Sequence, residues 1–333
     1  MGEAAGLATS LLWTVSSVSF TAAGRRLGSS RLNLIRSVLA MVILAGLLAA
    51  ATGMPWPQLE ARPALLLAAS GIVGLAIGDQ FLFAAFVHLG PRRSMLIMTL
   101  SPVAAALMGL ITLGERLSLL GVLGMAATLG GVAWVILERR GGAPEAGGGD
   151  GGGGDAADAP QSAAAPAARA GPVLCAVMGA LCQAGGMVLA KHAMGADATP
   201  VDWLGFQTVR MSAGAGALLL LAAIRVSIGS RGEGAASHPW PAAGRERRVA
   251  LAALLCGTLA GPVTGVFGSL VAISRCEVAV ATTLMSLTPI FLLPVARVVD
   301  RERIDARAIL GALLAVAGVA LLALRTRPPE GML

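Results

Sequence analysis

Apolar runs of about twenty residues recur along the whole chain, and short segments that carry most of the arginines separate them. A helix of that length crosses roughly 30 Å of hydrocarbon. The pattern therefore predicts an all-α integral membrane fold with ten transmembrane helices. Their approximate bounds are 5–24, 33–53, 64–90, 94–113, 119–137, 172–194, 203–224, 249–274, 278–299 and 306–324.

The second half of the chain repeats the first half at an offset of 187 residues. The stretch MTLSPVAAALMGLITLGER at 98–116 returns as MSLTPIFLLPVARVVDRER at 285–303, and Gly124 and Gly131 return as Gly311 and Gly318. Five spans in each copy is an odd number, so the two copies must enter the membrane in opposite senses. The sequence thus predicts two five-helix inverted repeats, a plan that many secondary transporters share.

A change in composition marks the boundary between the two copies. Residues 141–170 are almost all Gly, Ala, Pro and Asp and include no bulky apolar side chain, which is typical of a flexible linker. We therefore expect a first five-helix repeat at 1–140, a linker at 141–170 and a second repeat at 171–333.

The overall composition supports a membrane protein and excludes several other classes. The chain is 56% hydrophobic and only 13% charged, whereas soluble domains carry about 25% charged residues. The net charge of +7 comes from arginines in the loops, and no basic and aromatic stripe suggests nucleic-acid binding. The cysteines and histidines are dispersed, so no metal site, cofactor site or catalytic cluster is predicted.

The ordered motifs resemble those of the EamA-type ten-span permeases in the drug/metabolite transporter superfamily. The matching residues are Leu12-Trp13, Arg36, Ile77-Gly78-Asp79-Gln80, Ser101-Pro102, Gly114-Glu115-Arg116-Leu117 and, in the second half, Arg210, Pro289 and Glu302-Arg303. The second half departs from the pattern where Arg301 replaces the glycine before the glutamate. The resemblance covers the chain except the linker, and it implies transport of small metabolites or drugs.

The distribution of arginines conflicts with this resemblance over orientation. The loops after the odd-numbered spans carry sixteen Lys and Arg residues and the opposite side carries six, so the positive-inside rule places both termini outside. The resemblance implies that both termini are cytoplasmic. A C-terminal phosphatase or fluorescent-protein fusion distinguishes the two orientations.

Asp79 is the strongest single candidate for a role in transport, because it lies near the middle of the third span. A carboxylate at that depth needs a wet cavity or a partner, and proton coupling competes with a structural hydrogen bond as its role. The second repeat has Val266 at this position. Arg210 lies roughly 10–12 Å into the seventh span and either holds an anionic substrate group or pairs with Asp202 or Glu277. We expect Arg36 to extend to the membrane interface.

Small residues and prolines are the other features inside the spans. Gly71, Gly74 and Gly78, like their counterparts in the eighth span, predict close helix packing. Pro102 and Pro289 predict either a packing kink or a hinge in mid-span. Glu115-Arg116 and its repeat predict interfacial ion pairs.

The sequence thus favours a non-enzymatic permease that moves a small molecule by alternating access, with Asp79 as the candidate for proton coupling and passive exchange as the alternative to coupling. A polytopic enzyme acting on lipid-linked substrates and a non-transporting scaffold are the alternatives. We expect a monomer or homodimer in a bacterial-type inner membrane, with the lipid bilayer and a small-molecule substrate as its partners. The predicted substrate cavity comprises Trp13, Ser17, Asp79, Gln80, Ser101, Pro102, Gln183, Arg210, Thr288 and Pro289.

Overall fold

A computed structural model describes residues 2–112, 119–137, 166–193, 199–227, 244–275, 284–299 and 306–324. Every regular element in those ranges is a helix. The helices are α1 (Gly2–Leu27), α2 (Ser29–Thr52), α3 (Ala61–Ser70), a first π segment (Gly71–Gly78), α4 (Asp79–Met98), α5 (Leu100–Thr112), α6 (Leu119–Leu137), α7 (Pro166–Ala193), α8 (Pro200–Ser227), α9 (Arg245–Thr258), a second π segment (Leu259–Gly265), α10 (Val266–Arg275), α11 (Thr288–Val299) and α12 (Ala306–Leu324).

These helices coincide with the apolar runs in the sequence, and several of them can cross a membrane. Five described segments are long and apolar enough: 29–52, 61–98, 171–193, 201–224 and 245–269. Two shorter apolar helices cover 119–135 and 306–321. The chain is therefore a multi-pass membrane protein.

The predicted linker is shorter than the composition suggests. Helix α7 begins at Pro166, so the end of the 141–170 segment is helical. Alanine is a strong helix former, and a proline fits the first helical turn because its missing N–H is not needed there. The rest of the linker lies outside the described residues, as do the Glu115-Arg116 and Glu302-Arg303 pairs.

Pro102 and Pro289, the prolines that recur in the two repeats, each follow a break between two helices. A turn at Thr99 separates α4 from α5, which places Pro102 in the first turn of α5. The equivalent turn at 286–287 precedes α11, where Pro289 is the second residue. Proline is tolerated best where a helix starts, and the choice between a packing kink and a hinge stays a prediction.

A single glycine separates the third predicted span from the fourth. Gly90 has φ 76° and ψ 167°, which interrupts the helix between Asp79 and Met98. Left-handed backbone of this kind is readily available only to glycine. Pro91 follows and begins the next helical stretch.

The two π segments occupy matching places in the two repeats. The first ends at Gly78 and the second at Gly265, and these glycines are 187 residues apart. π-helical turns widen the helix locally and are frequent at functional sites. The residue that follows is Asp79 in the first half and Val266 in the second half.

Helices of the two halves pack against each other in reciprocal pairs. Helix α1 packs on α9, the second π segment and α10, while α7 packs on α3, the first π segment and α4. The first helix of each half therefore contacts the third span of the other half. Helix α2 packs on α8, and α6 packs on α12.

The α6–α12 contact is antiparallel and close because small residues line it. Glycine has no side chain, so the two backbones can approach closely here. A Cβ added to Gly131 would lie only 2.6 Å from the carbonyl oxygen of Gly311. The neighbouring pairs along this contact are Gly124 with Gly318, Thr128 with Ala315 and Gly131 with Gly311. Thr128 and Ala315 are themselves 187 residues apart, and the Thr128 hydroxyl donates to the Ala315 carbonyl at 3.4 Å.

Candidate functional site

Asp79 lies at the junction of the first π segment and α4, and only 5% of its surface is exposed. Its Oδ2 accepts a hydrogen bond from Arg36 Nη2 at 2.6 Å, and its Oδ1 accepts one from Gln183 Nε2 at 2.6 Å. Both carboxylate oxygens are therefore engaged. The partners are an arginine and an amide, both of which donate hydrogen bonds to an ionised carboxylate.

Arg36 does not extend to the membrane interface, and that expectation is wrong. Its side chain is 4% exposed and forms the ion pair with Asp79. The Cζ atom lies 5.1 Å from the ring centroid of Phe83 and 5.8 Å from that of Phe20. The nearby carboxylate and the aromatic faces compensate for the water that the guanidinium has lost.

The amide of Asn33 supports Arg36 from one turn earlier on α2. Its Oδ1 accepts from Arg36 Nη2 at 3.1 Å, and its Nδ2 donates to the Ala76 carbonyl at 3.0 Å. Ala76 belongs to the first π segment. Asn33 therefore fixes the arginine on α2 against the segment that presents Asp79.

Arg210 lies ten residues after the start of α8, about 15 Å along the helix. Its Nε donates to Ser70 Oγ at 2.9 Å, and its Nη1 donates to Gln207 Oε1 at 3.1 Å. The predicted ion pair with Asp202 is wrong, because the Asp202 carboxylate instead caps α8 through Thr199 N at 2.8 Å. The other proposed partner, Glu277, lies outside the described residues.

The glycine faces pack as predicted, and they bring the polar side chains of the two halves together. A Cβ on Gly71 would collide with the backbone carbonyl of Arg210, and one on Gly186 would lie 3.0 Å from the Cα of Gly74. The Ser70 hydroxyl also donates to the Gly186 carbonyl at 2.5 Å. This close approach of α3 and the first π segment to α7 and α8 confirms the packing role.

Seven side chains form what we call the central polar cluster. They are Asn33, Arg36, Ser70, Asp79, Gln183, Gln207 and Arg210. Within this cluster, two hydrogen bonds between side chains join the halves of the chain, from Gln183 to Asp79 and from Arg210 to Ser70. The cluster contains two guanidinium groups and one carboxylate, so it holds more positive than negative charge.

Three of the predicted cavity residues make their contacts elsewhere. Trp13 packs beside Gly265 and in a small apolar cluster with Ala272 and Met285, so it contacts the third span of the second half and the residues just before α11. The Ser17 hydroxyl donates to the Thr14 carbonyl in its own helix. Gln80 donates to Ser30 Oγ at 3.0 Å, at the start of α2.

The residues around the two repeated prolines lie at the helix breaks of the fourth and ninth spans. Thr288 is buried, and its hydroxyl contacts the Met285 carbonyl at 3.1 Å and the Ser10 carbonyl at 3.4 Å. Pro289 is buried beside it, whereas Ser101 and Pro102 are half-buried. Their membership of a substrate cavity stays a prediction.

Sequence reasoning missed three members of the central polar cluster: Asn33, Ser70 and Gln207. Two of them carry a signal that was available in the sequence. Asn33 precedes Arg36 by three residues, and Gln207 precedes Arg210 by three residues. An amide one turn before an arginine in the second helix of each half indicates a shared buried arrangement.

Comparisons with known proteins bear on both the family and the fold. The profile described as the EamA-like transporter family matches residues 1–137 and 171–324. A comparison with curated proteins found no match. A solved structure described only as the crystal structure of a protein is similar with a TM-score of 0.60 and 18% sequence identity, covering 98% of this chain and 99% of the other. At that identity the likeness supports the fold alone.

Proposed function

The chain belongs to the EamA-like transporter family, and from that premise we propose that it moves a small solute across a bacterial-type inner membrane by alternating access. Members of this family are transporters of small solutes, which agrees with the multi-pass membrane fold. The observation that carries the proposal is the central polar cluster. It places buried charged groups between the two halves, at the middle of the long helical segment Ala61–Met98.

We infer that the ten helices form two inverted five-helix repeats. The antiparallel contact between α6 and α12 supports this, because Thr128 and Ala315 are repeat equivalents and touch each other. The reciprocal packing of α1 and α7 on the third span of the opposite half supports it as well. A two-fold axis in the membrane plane relates inverted repeats in other transporters and puts the substrate near the midplane.

Transport in this scheme is a rocking of one half against the other around the central polar cluster. At the cluster, the Gln183–Asp79, Arg210–Ser70 and Ser70–Gly186 hydrogen bonds link the halves, and rocking would have to break or exchange them. The Arg36–Asp79 pair lies within the first half and can move as a unit. The glycine contacts allow the two surfaces to slide because no side chains interlock there.

Proton coupling through Asp79 is the finer part of this proposal. A proton on Asp79 would cancel the charge that attracts Arg36 and would weaken the hydrogen bond from Gln183. One protonation step would then act on a contact within the first half and on a contact between the halves. Loss of pH-dependent uptake in Asp79→Asn vesicles supports this coupling, and an unchanged pH dependence refutes it.

The alternatives differ in where they require polar groups. An enzyme acting on lipid-linked substrates needs reactive side chains at the membrane edge, and a scaffold needs no charge in its interior. Asp79 and Arg36 are buried instead, and Arg210 lies deep in α8. This interior placement favours a transporter, working as a monomer or homodimer.

An export screen with matched variants tests the proposed function. Cells that overproduce the protein are compared with cells that carry the empty vector and with cells that overproduce the Asp79→Asn variant, and solutes in the medium are measured by mass spectrometry. We expect at least one small solute to accumulate outside with the unaltered protein and not with the empty vector. Identical media for these two, with the protein present in the membrane, would contradict transport.

A further inference from the structure

The two halves contain equivalent arginines whose partners differ. Arg36 on α2 and Arg210 on α8 each bond an amide oxygen three residues earlier, both at 3.1 Å. Helices α2 and α8 also pack against each other. Because the local arrangement is shared, the difference between the partners of Arg36 and those of Arg210 indicates which arginine is available to a ligand.

The charge of Arg36 is already balanced within the protein. Asp79 Oδ2 lies 2.6 Å from its Nη2, and the rings of Phe20 and Phe83 flank the guanidinium. Its Nε is buried and has no hydrogen-bond partner among the described residues. Arg36 therefore positions Asp79 and offers little to a ligand.

Arg210 bonds neutral oxygens only, among the residues that the structure describes. Its Nε is used by Ser70 and one N–H of Nη1 by Gln207, which leaves three of its five N–H groups uncommitted. No described carboxylate lies within ion-pair distance, and Asp79, the nearest source of negative charge in the cluster, already uses both of its oxygens. The side chain is half-buried, so part of it stays accessible.

Gly74 lies beside the uncommitted end of this guanidinium. A Cβ placed on Gly74 would lie 3.8 Å from Arg210 Nη2 and 3.6 Å from Gln183 Oε1. The Nη1 and Nη2 edge of an arginine matches the two oxygens of a carboxylate. The same edge would meet the amide oxygen of Gln183 on one side, which suits a solute with a neutral hydrogen-bond donor.

We propose that Arg210 binds the carboxylate of a transported monocarboxylate, next to Gly74 and Gln183. A guanidinium without an ion-pair partner among the described residues is costly inside the membrane, and one bound carboxylate makes the cluster neutral. A phosphate dianion would leave a net negative charge. A substrate ammonium group would find Asp79 already paired with Arg36. The inference rests on the proposed transport function only in calling the ligand a substrate.

Ligand-induced thermal stabilisation of the purified, detergent-solubilised protein tests the proposal directly. The probes are butyrate and benzoate, their uncharged analogues butyramide and benzamide, and phenyl phosphate as a dianion. We expect the melting temperature to rise with at least one carboxylate and not with its amide. No shift with either carboxylate, or an equal shift with an amide or with phenyl phosphate, would overturn the proposal.

Three variants connect the shift to the residue. Arg210→Gln should weaken carboxylate binding roughly tenfold or more, because a charge-assisted pair is lost. Arg210→Lys keeps the charge without the planar fork and should bind with intermediate affinity. Arg62→Gln removes an exposed arginine at the start of α3 and should bind as the unaltered protein does. Equal binding by folded Arg210→Gln or Arg210→Lys protein and the Arg62→Gln control would refute the assignment.

Counterflow of labelled benzoate in proteoliposomes separates this inference from the proposed function. Carboxylate binding that needs Arg210, without any counterflow, would refute the transport proposal and still support the carboxylate-binding site. Transport of a neutral solute that is unchanged in Arg210→Gln would support transport and overturn the carboxylate site.

Discussion

Arg36 Nη2 lies 2.6 Å from Asp79 Oδ2, and the two side chains are only 4% and 7% exposed. The helices that carry them, α2 and α4, belong to the same half of the chain. A buried pair of this kind contributes little net stability as a whole, but removing one partner leaves the other charge uncompensated. The pair is therefore a fixed unit that holds the centre of the first half together.

The first prediction concerns the stability of this unit. Asp79→Asn should lower the free energy of unfolding by about 3–5 kcal/mol, because Arg36 then keeps a buried charge without a carboxylate. The double variant Asp79→Asn with Arg36→Met should be less destabilised than the sum of the single variants. Thermal denaturation of the purified variants measures the difference.

A surface ion pair gives the matched control for that experiment. Arg26 Nε and Glu246 Oε2 are 2.9 Å apart, but their side chains are 33% and 68% exposed. Solvent screens such a pair, so Arg26→Gln should change stability little. Equal effects of Arg26→Gln and Asp79→Asn would show that the buried pair is not special.

The second prediction concerns the α6–α12 contact, where two neighbouring glycines differ. A Cβ on Gly131 would lie 2.6 Å from the Ala315 nitrogen, whereas a Cβ on Gly130 would meet nothing within 4 Å. Gly131→Ala should destabilise the protein by about 1–3 kcal/mol through overpacking. Gly130→Ala should be neutral or stabilising, since alanine is the better helix former. Comparable melting temperatures for the two variants would contradict the antiparallel contact.

The third prediction separates support of Arg210 from ordinary helix packing. Ser70→Ala removes the acceptor for Arg210 Nε and the donor to the Gly186 carbonyl. Ser16→Ala removes a similar link between the halves, from Ser16 to the Gly257 carbonyl at 2.9 Å, with no arginine involved. Each should cost roughly 1 kcal/mol in stability, but only Ser70→Ala should weaken benzoate binding in the thermal-shift assay. A weaker response to benzoate in both variants would mean that packing alone governs the site.

The fourth prediction tests proton coupling by transport in vesicles. Once a substrate is known, Asp79→Asn vesicles should show the same uptake at acidic and neutral pH, because the amide cannot exchange a proton. Asp202→Asn is the control, since Asp202 is exposed at the start of α8 and its carboxylate bonds Thr199. A pH dependence that survives Asp79→Asn and disappears in Asp202→Asn would move the coupling residue to the membrane edge.

The sequence predicted the helices well because each apolar run had to satisfy its backbone hydrogen bonds within its own helix. The glycine faces of the third and eighth spans were equally readable, since small residues in such runs serve close packing. The ion-pair partner of Asp79 could not be predicted from the sequence. Arg36 lies 43 residues away on another helix, and a basic residue near a helix end is usually expected to reach the interface.

The contact between Thr128 and Ala315 has a consequence for the origin of the fold. These residues occupy the same position in the two repeats, and a residue that touches its own equivalent is what an isologous dimer has at its symmetry axis. A single five-helix chain would form this contact with a second, oppositely inserted copy of itself. The present protein can thus be viewed as a fused antiparallel dimer whose halves differ at the repeat position that holds Asp79 in the first and Val266 in the second. Its halves, co-expressed as residues 1–137 and 166–333, should therefore reassemble without a covalent connection, and failure of the two pieces to co-purify would argue against this origin.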